Sequence, residues 1–202
     1  MDGGRAGAGR HRQGTRIGMM TRRAALLLGL ALPGLALAQG TPRAAELDQL
    51  FAVLRDGQDA AQITLAEARI RQLWLEAASP AARLLMQRGT RNMNARLPEE
   101  AIEDFDAALT LAPNAASAWH LRAEALAALG QMREAARDLA EALRLEPRHF
   151  IALQSLSRLQ TEAGDAPGAL RSMEAALAIY PTMPGGAEAL RRLKAAAEGE
   201  AL

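Results

Sequence analysis

A few side chains in this 202-residue sequence could do chemistry, and their spacing limits what that chemistry is. His120 and Glu124 stand one helical turn apart and could share a metal ion, but no third ligand accompanies them, and protein metal sites take three or more donors. His149 follows Pro147 at a helix start, where its ring serves the turn. The acids Glu99, Glu100, Glu103, Asp104 and Asp106 crowd another helix start and suit a solvated outer face. Trp74 and Trp119 read as core rings rather than as a platform for a cofactor. Cysteine is absent, which excludes disulfides, thiol catalysis and Cys-ligated zinc. No Gly-rich phosphate loop, G-x-S-x-G elbow or H-E-x-x-H occurs. With no nucleophile beside a base, the chain is expected to bind rather than catalyse, without metal or cofactor.

The elements that would position a site follow an address label. Residues 1–18 are rich in Gly and Arg; Met19, Met20, Thr21, Arg22 and Arg23 come next, then the apolar run Ala24 to Ala38. A basic stub, about 15 apolar residues and an Ala36-Leu37-Ala38 end are the three parts of a secretory signal peptide. Cleavage is expected after Ala38, with an uncleaved signal anchor as the alternative. The run is short for a membrane span of about 20 residues, and Pro33 and Gly34 interrupt it. Met1–Gly18 does not fit such a signal, so translation could start at Met19 or Met20. Thr21-Arg22-Arg23 is similar to the opening of a twin-arginine signal, but Ala25 stands where an aromatic is preferred. The general secretory route is favoured and the twin-arginine route stays open. A periplasmic or secreted protein without stable membrane insertion after cleavage is expected. Beyond residue 38 the chain holds 18 bases and 22 acids, a net charge near −4. That balance, with no basic stripe, argues against nucleic acid as partner.

Half the sequence is hydrophobic and only 3% aromatic. An interior of Ala and Leu favours helices and disfavours a β-sandwich or barrel. Pro113, Pro147 and Pro181 lie 34 residues apart. In the same register fall Ala101, Ala135 and Ala169; Phe105, Leu139 and Met173; and Ala108, Ala142 and Ala176. Leu85, Trp119 and Leu153 share a position, as do Gly89, Ala123 and Ser157, and the turn residues Gly130 and Gly164. The pattern resembles the tetratricopeptide repeat, a helix–turn–helix unit of 34 residues. The match is closest in the second helix of each unit. The family's Tyr position holds Asn92, Leu126 and Gln160, its Leu position holds Arg88, Arg122 and Leu156, and Arg96 replaces the first turn glycine.

The resemblance implies an all-α, right-handed α-solenoid. Its repeats are expected at 82–115, 116–149 and 150–183, between an N-terminal helical pair at 39–81 and a C-terminal capping helix and tail at 184–202. Within the repeats, helices are expected near 82–95, 98–111, 115–128, 131–144, 148–162 and 166–179. Small residues on facing helices allow close backbone approach, and each proline ends one hairpin and opens the next. The N-terminal pair leaves the register, with Glu67, Arg71 and Trp74 at signature positions, and reads as a cap or a diverged repeat. Its Leu47–Phe51 and Leu73–Leu75 segments are similar to the lead-in of exported proteobacterial tetratricopeptide proteins.

In this family the first helix of each pair lines the inner face, where partners dock. Carried onto this chain, that face holds Arg83, Met86, Thr90, Met93 and Asn94 in the first repeat. The second contributes Ser117, His120, Glu124 and Ala127, and the third Ile151, Gln154, Arg158 and Thr161. Members that hold a chaperone's C-terminal carboxylate use a clamp of Lys, Asn and Arg; here those positions hold Met86, Thr90, Leu121, Ile151 and Ser155. That mode is not expected. The reading is an exported, non-catalytic scaffold for a protein or peptide segment. Its alternatives are a self-associating structural protein or an accessory domain of an envelope enzyme complex.

Overall fold

Helix starts are chemically marked along this chain. Thr41, Asp59, Ser79 and Asp165 each accept a backbone N–H of the first turn they precede, and His149 does the same with its ring nitrogen. These caps satisfy donors that a helix leaves open at its first turn. Proline occupies the first helical position at residues 42, 80 and 98, where its missing N–H costs nothing.

The computed structural model describes residues 41–199; the leader and signal segment read at 1–38 lie outside the described residues. Among the latter there are nine helices and no strand: α1 (Pro42–Asp56), α2 (Ala60–Glu76), α3 (Pro80–Asn94), α4 (Pro98–Leu111), α5 (Ala116–Ala128), α6 (Met132–Leu145), α7 (Phe150–Glu162), α8 (Ala166–Ile179) and α9 (Gly186–Glu198). None is long and apolar enough to cross a membrane. The hairpins α3–α4, α5–α6 and α7–α8 are the three repeats, and Pro113, Pro147 and Pro181 fall between helices.

Close approach inside a hairpin has a specific geometry. Gly89 faces the fully buried Phe105, and a Cβ added at 89 would come 2.5 Å from the ring. Where the first two repeats depart from the family pattern, a compensating acid is present. Arg88 and Asn92 both bond Asp104, and Arg122 forks onto Asp138 at 2.7 and 2.9 Å. In the third repeat Leu156 replaces the arginine and Ser172 the aspartate, with Gln160 bonded to Ser172 at 2.6 Å. Asp104 is therefore not the outer-face acid expected from its run: it is buried, because Arg88 and Asn92 require an inward acceptor.

Helices α1 and α2 are not stacked ahead of α3 in the way that successive repeats are. Phe51, Leu54, Ile70, Leu73 and Trp74 share a core with Phe150, Ala176, Tyr180 and Met183 of the third repeat and its exit. The Tyr180 hydroxyl donates to Glu67 at 3.1 Å, and Arg148 donates to Asp48 at 2.6 Å. The aromatic cluster explains the choice: Trp74 lies 5.3 Å from Phe150, and Phe150 meets Tyr180 edge-on at 5.5 Å.

Turn geometry repeats along the stack with one exception in residue type. Gly130 and Gly164 have φ of +74° and +77°, and Arg96 takes φ +63° at the same position. A left-handed backbone disfavours any residue with a Cβ by about 1–2 kcal/mol. Arg96→Gly is therefore expected to raise unfolding free energy by roughly 0.5–1.5 kcal/mol in urea denaturation, after the added freedom of the unfolded chain is deducted. An unchanged or lower midpoint would show that the turn carries no strain.

Candidate functional site

The first helices of successive units leave a groove of about 740 Å³ between α5, α7 and α9. Ile151, Met173, Ala189 and Leu193 give it an apolar lining. Charges stand around them already paired. The Arg158 guanidinium reaches both Glu124 oxygens at 3.0 and 2.9 Å and lies 3.6 Å from Glu162, while Arg192 is 3.3 Å from Glu188. Such a site suits an apolar side chain carried on a polar backbone, since the exposed cations retain donors for its carbonyls.

Two buried histidines lie beneath this region. His120 Nε2 is 3.2 Å from Ser155 Oγ and 3.8 Å from Glu124. Burial pushes its pKa down to about 4, Arg71 and Arg158 add to that shift, and Glu124 opposes it. His149 accepts the Ala152 N–H at Nδ1, so its proton sits on Nε2, which is buried without a partner. Its ring stacks on Trp74 at 4.1 Å and lies 5.1 Å from His120; burial, then the neighbouring His120, hold its pKa well below the usual imidazole value. Both rings are neutral structural groups at pH 7. No group of three or more His, Asp or Glu among the described residues is arranged to hold a metal.

Of the inner-face residues singled out by resemblance, Glu124, Ile151, Gln154, Arg158 and Thr161 line the groove, with His120 among them. Met86 and Ser117 must be withdrawn. Met86 is buried in the first-repeat core with Ala82 and Phe105, and Ser117 is likewise covered. Arg83, Thr90, Met93 and Asn94 lie on α3, which does not line the groove. Sequence reasoning missed Ser155, Glu162, Met173 and the whole α9 wall: Ala189, Arg192, Leu193 and Ala196. A signal was present. Adding 34 to Ser155, Arg158, Leu159 and Glu162 gives those four positions, so α9 is the first helix of a further unit as well as a closing element.

Stacked two-helix units with an inner groove define a solenoid of the kind that binds other proteins along one face. The chain is a tetratricopeptide repeat protein: the tetratricopeptide repeat model matches residues 116–149. A TPR repeat-containing protein of Rhizobium etli is 31% identical over 135 residues, 67% of this chain and 66% of that one. Human tetratricopeptide repeat protein 33 is 30% identical over 116 residues, 57% of this chain but only 44% of its own. The chain thus spans about half to two thirds of these relatives. Among solved structures, the first TPR of Spaghetti (RPAP3) bound to an HSP90 peptide superposes with a TM-score of 0.57 at 20% identity, over 59% of this chain and 95% of that one.

Because unfolding exposes His120 and His149, they titrate near 6.5 in the unfolded chain but lower in the folded one. The unfolded state binds more protons in that window, so stability falls as pH drops from about 6.5 toward 4. Urea unfolding near pH 7.5 and about pH 5 should differ by about 2 kcal/mol from His120 alone, the lower pH being less stable. Equal stabilities would mean that these rings are not buried neutral.

Proposed function

We propose that this chain is an exported, non-catalytic scaffold that takes a segment of another protein into the groove between α5, α7 and α9. The observation that carries the reading is the apolar lining of Ile151, Met173, Ala189 and Leu193, open on the inner face and bordered by Arg158 and Arg192. The peptide bound to the Spaghetti domain supports the same class of ligand. The carboxylate clamp is not reproduced at Met86, Thr90, Leu121, Ile151 and Ser155, so the ligand here is an internal apolar segment rather than a chain end. Export rests on the basic stub, apolar run and Ala36-Leu37-Ala38 end.

Ala196 lines the groove and is exposed, so a large residue there fills the site without entering the core. Against peptides selected from a library on the wild-type protein, Ala196→Trp is expected to weaken binding about tenfold or more, with thermal unfolding unchanged. Ala187→Trp, exposed and outside the lining, is the control. Retention of every selected peptide by Ala196→Trp would remove the groove from consideration. Mass spectrometry of protein recovered from the periplasm of an expressing cell should place the first residue at Gln39. Protein found only in the cytoplasm with residues 19–38 intact would overturn export.

A further inference from the structure

Among the described residues, the edge of the stack ahead of the first repeat lacks the cover that the later repeats have. In the second repeat Ala118 and Ala125 are fully buried against α4, and in the third Ala152 and Leu159 are buried against α6. The first-repeat residues 34 positions earlier are Leu84 and Arg91, both exposed, Leu84 at 66%. The helix next in line to cover them is α2, but its Ile70, Leu73 and Trp74 share the core of Phe150 and Tyr180, and only Leu75 packs toward the first repeat, leaving Leu84 exposed.

The charges show the same vacancy. Arg122 bonds Asp138 within its own repeat and also reaches Asp106 of the preceding helix at 2.6 Å, which leaves its side chain 22% exposed. Arg88 occupies that position in the first repeat and holds Asp104, the counterpart of Asp138. No counterpart of Asp106 meets it among the described residues, and its side chain is 60% exposed. Arg91 adds a second cation to the same helix, where the later repeats have Ala125 and Leu159.

We propose that this open edge of α3 docks an acidic amphipathic helix of a partner protein. Its apolar stripe seats on Leu84, and its carboxylates complete Arg88 and meet Arg91. The chain contains the template for such a helix: α4 covers α5 with Ile102, Phe105 and Leu109 while Asp106 supplies the carboxylate to Arg122. The edge is separate from the groove, and its test separates the two.

The probe is a labelled synthetic peptide with the sequence of α4, Pro98–Leu111, which has five acids and no base, stapled on its outward side to keep it helical. Titrated into the full chain, it should bind saturably and weaken as salt screens the arginines. Leu84→Glu combined with Arg91→Glu should reduce affinity about tenfold or more. Both positions are exposed, so the fold is expected to survive, and circular dichroism checks that it does. Ala196→Trp should leave this binding intact, so that the edge and the groove can fail separately. Absence of saturable binding, or binding indifferent to the Leu84 and Arg91 changes, overturns the proposal. So does a concentration-dependent dimer in light scattering that Leu84→Glu abolishes, because the edge would then belong to a second copy.

Discussion

A hairpin of two helices of about 14 residues cannot hide its apolar faces against itself, and every other feature of this protein follows from how neighbours supply the missing cover. Within the stack the answer is regular. Phe105 and Leu109 close over Ala118, and Leu139 and Ala142 close over Ala152. Small residues at these contacts let helices approach closely, which is why an interior so poor in aromatic rings still packs tightly. At the two ends the same need is met differently. α9 covers Met173 at one end, while α1 and α2 fold across to Phe150 and Tyr180 and, among the described residues, leave the Leu84 face of α3 uncovered.

Electrostatics inside the stack is subordinate to that packing but sets its details. A buried aspartate is tolerated only with its hydrogen bonds made. Asp104 and Asp138 meet that condition through Arg88, Asn92 and Arg122, and the third repeat dispenses with both charge and partner by using Ser172 and Leu156. Loss of Arg88 would leave the buried Asp104 with Asn92 alone, whereas loss of Asp104 would leave Arg88 to solvent, so the cost falls on the aspartate. The histidines follow the same logic as neutral groups. His149 caps α7 and stacks on Trp74, tying the N-terminal pair to the repeats through a ring that burial keeps uncharged.

The period of 34 residues, the helix limits to within about two residues, and the roles of Gly89, Phe105 and the turn glycines were all legible in the chain. So was His149 as a turn residue. Asp104 was misread because its neighbours Glu99, Glu100, Glu103 and Asp106 are exposed, and a run of acids does not reveal which one turns inward. The pairing with Arg88, 16 positions away, could have been noticed from Arg122 and Asp138 at the same separation. Half of the groove was legible through the inner-face positions of α5 and α7. The other half lies on α9, whose 34-residue register with α7 is kept at Arg192 and Leu193 but hidden where Ala189 and Ala196 stand opposite Ser155 and Glu162.

By itself the sequence determined the repeat unit, since helix period, small-residue contacts and proline punctuation are local or next-neighbour properties that one register expresses. It determined too that no thiol chemistry is available. Only the tertiary structure decided where the out-of-register pair α1–α2 would go. Its aromatic and aliphatic residues have no preferred address along the chain, and hydrophobic burial is non-directional. The partner surface they found is assembled from residues about a hundred positions away, at Phe150, Tyr180 and Met183. That long-range choice buries the histidine and tryptophan rings together and confines the open groove to α5, α7 and α9. It also leaves Leu84 in solvent.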